Sequence, residues 1–142
     1  MANIQRVAVL GGGSFGTVLA NIAASNGYDV SLWVRDAEQA FRINSEGANS
    51  TYHPELKLSA NITASDDLQS VLLDSQYILV ATPSIIFEEV INRIEPYIDS
   101  SIAVISCTKG IKANPFRTMT DIINQHLGCK IGNKVGVLSG PN

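Results

Sequence analysis

The sequence predicts an α/β fold in which helices cover both faces of a doubly wound parallel sheet. Short apolar runs alternate with helical patterns along the 142 residues, and a glycine-rich turn joins the first run to the first helical pattern. Most apolar runs are continuous rather than alternating, which is typical of strands buried on both faces. Strands that alternate with helices indicate right-handed βαβ crossovers, so we expect residues 1–142 to form one domain of this type.

Six short apolar runs are predicted as strands, with helices between them. The strands are residues 6–10, 29–34, 61–64, 77–81, 102–106 and 135–138. Most are rich in Val, Ile and Leu, and they are bounded by glycine or polar residues. No internal repeat, low-complexity tract or linker interrupts the series, which favours a single continuous sheet.

Three longer helices are predicted from apolar residues that recur at intervals of three and four. The first begins near Ser14 and ends at Gly27, because glycine readily adopts the conformation that ends a helix. The second has its apolar face at residues 86, 90 and 94 and stops before Pro96. The third includes Phe116 and is expected to end at Gly128.

Two shorter helices are predicted over residues 36–44 and 66–73 from their capping signals. Asp36 followed by Gln39 resembles a capping box, in which the two side chains satisfy N–H groups at the start of a helix. Ser65 is the expected cap of the other short helix.

The turn after the first strand contains Gly11, Gly13 and Gly16 in the spacing G-x-G-x-x-G. These glycines allow a tight turn, the close approach of a phosphate to the backbone and close packing of the next helix. A helix that begins near Ser14 directs its unpaired N–H groups and positive dipole end at an anionic ligand. The turn therefore predicts a Rossmann-type nucleotide site, with a glycine-rich turn that binds no ligand as the alternative.

Polar, glycine and cationic residues follow the other strands as well. They are Arg35 and Asp36, then residues 82–84, 107–110 and 139–142. In a parallel sheet these loops meet at the carboxyl edge, where ligands bind. Polar loops also occur at this edge in inert domains, but combined with the glycine turn they favour a nucleotide site.

Arg35 indicates which nucleotide is bound. NAD-binding folds usually place an acidic residue about 20 positions after the glycines, where it accepts hydrogen bonds from the ribose. Here Arg35 comes first after the strand, and a guanidinium suits the 2′-phosphate of NADP. Asp36 is either the ribose acceptor or the N-cap of the next helix. The sequence therefore favours NADP, with NAD as the alternative.

Lys109 indicates the kind of substrate. It lies in the stretch Cys107-Thr108-Lys109-Gly110, where the glycine permits close approach and the cation suits a phosphate or a polarised carbonyl. A solvated surface lysine is the alternative.

His53 lies in a long loop that could close over the cofactor, and a structural role is favoured over a catalytic one.

The composition excludes several other functions. Net charge is −3, and no basic block is present, so nucleic acid is not an expected partner. No apolar run approaches the roughly 20 residues of a membrane span, and the N-terminus does not resemble a signal peptide. Cys107 and Cys129 have no metal-binding or redox spacing, so we expect no metal and a cytoplasmic location.

Five ordered motifs, VAVLGGGSFGTVLA, SLWVRD, VATPS, CTKGI and VLSGPN, resemble those of bacterial NAD(P)-dependent glycerol-3-phosphate dehydrogenases. That family reduces dihydroxyacetone phosphate to sn-glycerol 3-phosphate for phospholipid synthesis. The resemblance implies that four residues contact the nucleotide and that three line the substrate, one of which also touches the cofactor. The nucleotide contacts would be Ser14, Phe15, Arg35 and Tyr52. The substrate residues would be Lys109, Gly140 and Asn142, and Lys109 would contact the cofactor as well.

The resemblance also implies a second, largely helical domain after Asn142, with another lysine as proton donor and a possible homodimer contact. Position 142 usually carries Ser or Thr in the family pattern, so Asn142 departs from it. A Rossmann domain alone leaves the nicotinamide open to water, whereas hydride transfer needs a closed site. We therefore expect these 142 residues to bind the cofactor weakly, with little or no turnover.

Three alternatives remain open from the sequence. The parent protein could be a related keto-acid reductase, such as a ketopantoate reductase-like enzyme, although the Lys109 stretch argues against it. The chain could instead be a stand-alone nucleotide sensor or interaction module. A methyltransferase would also use a glycine-rich turn, but it fits Arg35 less well.

Overall fold

The computed structural model describes residues 5–139. Its strands are β1 (Arg6–Leu10), β2 (Asp29–Trp33), β3 (Ile62–Ser65), β4 (Tyr77–Val80), β5 (Ala103–Ser106), β6 (Ile111–Ala113), β7 (Phe116–Thr118) and β8 (Val135–Val137). Its helices are α1 (Ser14–Ser25), α2 (Ala37–Glu46), α3 (Leu68–Leu72), α4 (Ser84–Ile94) and α5 (Met119–Ile131), with a 3₁₀ turn over Glu95–Tyr97. All six predicted strands are present, with ends that differ by a residue or so.

The main sheet is parallel throughout and has the strand order β3-β2-β1-β4-β5-β8. The chain runs outward from β1 to β3, returns to β4 beside β1, and then runs outward in the other direction to β8. The strand order therefore reverses between β1 and β4, and ligands bind at this reversal in open α/β sheets. The predicted doubly wound, Rossmann-type fold is confirmed.

Alternate residues of β1 enter two different cores, one on each face of the sheet. Val7 and Val9 pack with buried residues of α1 and α2. Ala8 and Leu10 pack with buried residues of α3, α4 and α5 on the other face. All four side chains are buried, which explains why the strand is a continuous apolar run rather than an alternating one.

The predicted limits of the third long helix are wrong at both ends. Phe116 lies in β7, which pairs with β6 as an antiparallel hairpin. The helix α5 begins after Thr118, whose side chain forms a capping box with Asp121. It continues through Gly128 and ends at Gly132, which has a φ of 57°. The start was misplaced because the helical spacing of apolar residues extends back into β7. The end was misplaced because Gly128 lies within the helix and Gly132 ends it.

The caps of the short helices also differ from the predictions. Asp36 is the N-cap of α2 and accepts a hydrogen bond from the N–H of Glu38. The predicted capping box does not form, because the side chain of Gln39 donates to the carbonyl of Gly12. The N-cap of α3 is Asp67 rather than Ser65, and the hydroxyl of Ser65 accepts a hydrogen bond from the N–H of Asp67.

Candidate functional site

A cavity of about 950 Å³ opens at the carboxyl edge of the sheet, over the reversal between β1 and β4. Loops that follow β1, β2, β4 and β5 line it, together with part of the loop after α2. The lining residues are 11–15, 33, 35, 36, 39, 52, 81–84, 86 and 107–109. Four strand ends thus contribute to one site.

Most of the predicted site residues lie together in this cavity. Its lining includes Gly11, Gly13, Ser14, Phe15, Arg35, Tyr52 and Lys109. Gly16 is buried in the first turn of α1, beneath the glycine turn. Gly140 and Asn142, the predicted substrate residues, lie outside the described residues 5–139.

The glycines of the turn meet different requirements. Gly11 has a φ of 121°, and a Cβ there would lie 2.6 Å from the carbonyl oxygen of Ala81. A Cβ on Gly16 would lie 1.9 Å from the carbonyl oxygen of Gly11. Gly13 has an ordinary φ of −79°, and a Cβ there would meet nothing within 4 Å. Folding therefore requires Gly11 and Gly16, whereas Gly13 leaves open space beside the turn.

The N-terminus of α1 suits an anionic group. Its N-cap residue, Gly13, has no side chain to accept a hydrogen bond, and the first turn contains no acidic residue. The first N–H groups of this 12-residue helix therefore have no side-chain cap, and the helix dipole favours negative charge at this end. The space at Gly13 and these donors together fit the diphosphate of a dinucleotide.

Arg35 and Asp36 are exposed at the rim of the cavity, directly after β2. The carboxylate oxygen Oδ1 of Asp36 accepts the N–H of Glu38 at 2.9 Å, so this side chain caps α2. Arg35 and Asp36 are the two residues considered for contact with the ribose of the nucleotide. Asp36 thus has a local structural role as a helix cap. The guanidinium of Arg35 is the cationic group at this end of the cavity.

The segment that carries Lys109 is held against the loop after β4. The N–H of Cys107 donates to the carbonyl of Val80 at 2.8 Å. The hydroxyl of Thr108 donates to the carbonyl of Thr82 at 2.7 Å. Gly110 has a φ of 138°, and a Cβ there would lie 2.9 Å from the Cβ of Ser84. Lys109 is therefore fixed between two strand ends.

Cys107 lines the cavity but is not poised as a nucleophile. Its side chain is buried, and this burial raises the pKa of the thiol to about 11. Nucleophilic attack requires the thiolate, which is scarce at neutral pH for such a group. The burial of Cys107 therefore argues against its use as a nucleophile.

A charged cluster anchors the β6–β7 hairpin that follows Lys109. Glu88 of α4 binds Arg117 of β7 through two hydrogen bonds of 2.8 Å each. It also binds Lys112 of β6 and His126 of α5. The Arg117 guanidinium, then His126 and Lys112, hold the pKa of Glu88 far below its usual value.

Sequence reasoning missed the residues that support the glycine turn from within. Gln39 and Asn49 both donate to the carbonyl oxygen of Gly12 at 2.9 Å. Gln39 was interpreted as part of a capping box, and Asn49 lies in a loop without periodicity. His53 was predicted to be structural, and its Nε2 lies 2.9 Å from the carbonyl oxygen of Ser14. The single tryptophan, Trp33, also lines the cavity.

The described residues were also compared with the requirements of a membrane span and of a metal site. Within residues 5–139, none of the helices has the length and apolar character needed to cross a membrane. Over the same residues, no group of three or more His, Cys, Asp or Glu side chains is arranged to hold a metal ion.

Comparisons with known proteins agree with the motifs. The profile of the family described as "NAD-dependent glycerol-3-phosphate dehydrogenase N-terminus" matches residues 6–142. A glycerol-3-phosphate dehydrogenase [NAD(P)+] of Acinetobacter baumannii (strain SDF) is 48% identical over 137 residues, which are 96% of this chain and 37% of the relative. One from Teredinibacter turnerae is 44% identical over 142 residues, which are 100% of this chain and 41% of the relative.

A solved structure agrees as well. The crystal structure of glycerol-3-phosphate dehydrogenase from Coxiella burnetii matches with a TM-score of 0.87 and 33% identity, covering 97% of this chain and 41% of that one. This chain thus spans well under half the length of the relatives it matches. The chain belongs to the NAD-dependent glycerol-3-phosphate dehydrogenase family and corresponds to the N-terminal region of its members.

Proposed function

We propose that this chain is the NAD(P)-binding domain of an enzyme that reduces dihydroxyacetone phosphate to sn-glycerol 3-phosphate. The observation that carries the proposal is that one cavity has Arg35 at one end, the glycine turn in the middle and Lys109 at the other end. The strands that precede Arg35 and Lys109 are separated by three strand spacings, roughly 14 Å. A mononucleotide covers one side of the glycine turn, whereas a dinucleotide extends over both.

In this proposal each end of the cavity has a separate task. The N–H groups of α1 and the turn at Gly13 bind the diphosphate, while Arg35 binds the 2′-phosphate of NADP. Phe15 and Tyr52, each half exposed, supply apolar contacts at the mouth of the cavity. The bound nicotinamide supplies the hydride. Lys109 holds the substrate by its charge and polarises the carbonyl that is reduced.

The rest of the parent protein would complete the site. Large apolar side chains remain exposed on α4 and on the hairpin that follows Lys109, namely Ile85 (91% exposed), Ile111 (58%) and Phe116 (70%). Exposed apolar side chains of this size suit the docking of a further domain better than a stand-alone module. That domain would carry the proton donor and any homodimer contact, and Gly140 and Asn142 would line the substrate beside it. A cytoplasmic location agrees with the two free cysteines.

Binding of the dinucleotide tests the first part of the proposal. Trp33 lines the cavity, so a bound reduced nicotinamide should quench its emission and accept its excitation energy. Titration of this chain with NADPH and with NADH is expected to give saturable quenching, with NADPH tighter. If neither dinucleotide produces a saturable signal, the proposed function is wrong.

Turnover of the full-length enzyme tests the role of Lys109. The variant Lys109→Ala is expected to lower kcat/KM for dihydroxyacetone phosphate by about a hundredfold or more, because a charge-assisted contact to the reacting substrate is lost. The exposed Lys57 provides the control, and Lys57→Ala should leave kcat/KM unchanged. Equal kcat/KM in Lys109→Ala and the wild type would exclude this role.

A further inference from the structure

The carbonyl groups of the glycine turn are held from inside the protein. Asn49, only 2% exposed, donates from Nδ2 to the carbonyl of Gly12 at 2.9 Å and to Oγ1 of Thr17 at 2.8 Å. Thr17 is fully buried and donates from Oγ1 to the carbonyl of Gly13 at 2.6 Å. The carbonyl of Gly12 is thus held by the amides of Asn49 and Gln39. The carbonyl of Gly13 is held by the hydroxyl of Thr17 together with the backbone N–H of the same residue, at 3.1 Å.

The direction of these carbonyls decides the direction of the N–H groups. In a trans peptide unit, the C=O of one residue and the N–H of the next point to opposite sides. When the carbonyls of Gly12 and Gly13 point toward Asn49 and Thr17, the N–H groups of Gly13 and Ser14 point away from them. Gly13 and Ser14 both line the cavity. These N–H groups are therefore available for an anion there.

The side-chain amide of Asn49 makes hydrogen bonds through both its nitrogen and its oxygen. Both hydrogens of Nδ2 have acceptors, and Oδ1 accepts a longer bond of 3.4 Å from Gln39. The backbone carbonyl of Asn49 accepts the N–H groups of Tyr52 and His53 at 3.1 and 2.8 Å. The same residue thus connects the glycine turn to the loop that carries Tyr52 at the cavity mouth.

We propose that Asn49, acting with Thr17, is a positioning residue that presents the N–H groups of Gly13 and Ser14 to the diphosphate of the dinucleotide. This inference rests on the proposed function. Asn49 lies outside the five motifs, and Thr17 lies within the first of them but has no predicted role there. Asn49 itself is buried and does not line the cavity, so it acts through the backbone of the turn rather than by touching the ligand.

The test compares a ligand that has a diphosphate with one that lacks it. The dissociation constant (Kd) is measured by Trp33 quenching for whichever of NADPH and NADH binds the wild-type chain more tightly. Calorimetry gives the Kd of the matching fragment without a diphosphate, adenosine 2′-monophosphate for NADPH or adenosine for NADH. Asn49→Ala is expected to raise the dinucleotide Kd by about tenfold or more and to change the fragment Kd less than about twofold.

Thr17 provides a second and milder test. Thr17→Val keeps the shape of the side chain but removes the hydroxyl, so it should raise the dinucleotide Kd in the same way. Thr17→Ser keeps the hydroxyl and should retain wild-type affinity. The effects of Asn49→Ala and Thr17→Val should be less than additive in the double variant, because the two side chains hold one turn.

Asn44 provides the matched control. Its amide also makes two hydrogen bonds of 2.8 Å to the backbone, both to Ala64 of β3, away from the glycine turn. Asn44→Ala is expected to lower the melting temperature, Tm, without changing either Kd.

Three outcomes would overturn the inference. The dinucleotide Kd of Asn49→Ala could stay within about twofold of the wild-type value, or both Kd values could rise in parallel, which would indicate only loss of folded protein. The third outcome concerns Thr17→Val, which replaces Asn49→Ala in the test if Asn49→Ala does not fold. Equal dinucleotide Kd values for Thr17→Val and Thr17→Ser would then overturn the inference. A wild-type chain that binds neither NADPH nor NADH would instead overturn the proposed function.

Discussion

Individual residues of the glycine turn have separate physical roles. Gly11 and Gly16 are required by contacts within the protein, since a Cβ on either would overlap a backbone oxygen. Gly13 has room for a side chain and an ordinary backbone conformation. The motif G-x-G-x-x-G therefore combines two residues needed for folding with one whose missing side chain leaves space for a ligand.

Alanine substitutions should separate these roles. Gly13→Ala is expected to change the free energy of unfolding by less than about 1 kcal/mol, because the residue is an N-cap with space around it. It should nevertheless weaken dinucleotide binding, because the methyl group occupies the place of the diphosphate. Gly16→Ala is expected to cost about 3 kcal/mol or more, because its Cβ would overlap the carbonyl oxygen of Gly11. Urea unfolding and Trp33 quenching measure the two effects, and wild-type binding by Gly13→Ala would contradict the assignment.

Arg35 should decide between the two dinucleotides. Arg35→Ala is expected to raise the Kd for NADPH by about tenfold or more, since a charge-assisted contact to the 2′-phosphate is lost. The Kd for NADH should not change, because NADH has no phosphate at that position. Arg42→Ala, in the helix α2 that follows Arg35 and outside the cavity lining, provides a charge-matched control. Equal weakening of NADPH and NADH in Arg35→Ala would disprove the role.

At the scale of elements, the β6–β7 hairpin shows how a charged cluster can fix the position of a functional segment. The hairpin follows Lys109 and Gly110 directly, and Glu88 of α4 binds side chains from both of its strands. The strands have three residues each, and Ile111 and Phe116 are largely exposed. With few apolar contacts of its own, the hairpin depends on the ionic cluster for its position.

Removal of the Glu88 charge should therefore destabilise the protein. Glu88→Gln is expected to lower Tm at pH 7 by about 4 °C or more, whereas Glu89→Gln, its exposed neighbour on α4, should have no comparable effect. The pKa of Glu88 is lowered in the folded state, so its stabilisation is complete above the unfolded pKa of about 4.3. It is lost as the pH falls below that value toward the folded pKa. Melting curves from pH 3 to pH 8 should show the Tm difference between the wild type and Glu88→Gln become smaller at the acid end; a constant difference would contradict the assignment.

The sequence predicted the sheet well because the parallel strands are buried on both faces and appear as apolar runs. It could not predict the hairpin, because Phe116 has helical spacing to Met119 and Ile123 although its own side chain is exposed. Most predicted site residues line the cavity because they directly follow strands of one parallel sheet. Asn49 was missed because its role depends on a tertiary contact with Gly12 and leaves no periodic signal.

At the scale of the whole molecule, the fold agrees with the family assignment, while the relatives that the chain matches are much longer. This chain covers 37% of the Acinetobacter relative and 41% of the Coxiella structure. The described cavity is open at the sheet edge, and large apolar side chains are exposed on the β6–β7 hairpin that follows Lys109. Binding and turnover are therefore expected to separate when the chain is studied alone.

The 142-residue chain is expected to bind the dinucleotide but to reduce dihydroxyacetone phosphate at no more than about one thousandth of the rate of the full-length enzyme. The reason is that, in the proposed function, the nicotinamide is open to water in this chain alone and the proton donor lies in a further domain. Oxidation of NADPH, followed by absorbance at saturating substrate, measures the rate. A rate for the chain alone close to that of the whole enzyme would show that these residues suffice.

The place of β1 in the sheet has a consequence for biosynthesis. This strand is made first, yet it lies in the middle of the sheet, and its partner β4 follows about 70 residues later. At translation rates of about 5–20 residues per second, one edge of β1 remains unpaired for about 4–14 s. During this interval an apolar strand edge is available to other nascent chains. Early contact of α1 with β1 and β2 would cover one face of the strand, but only synthesis of β4 closes its open edge.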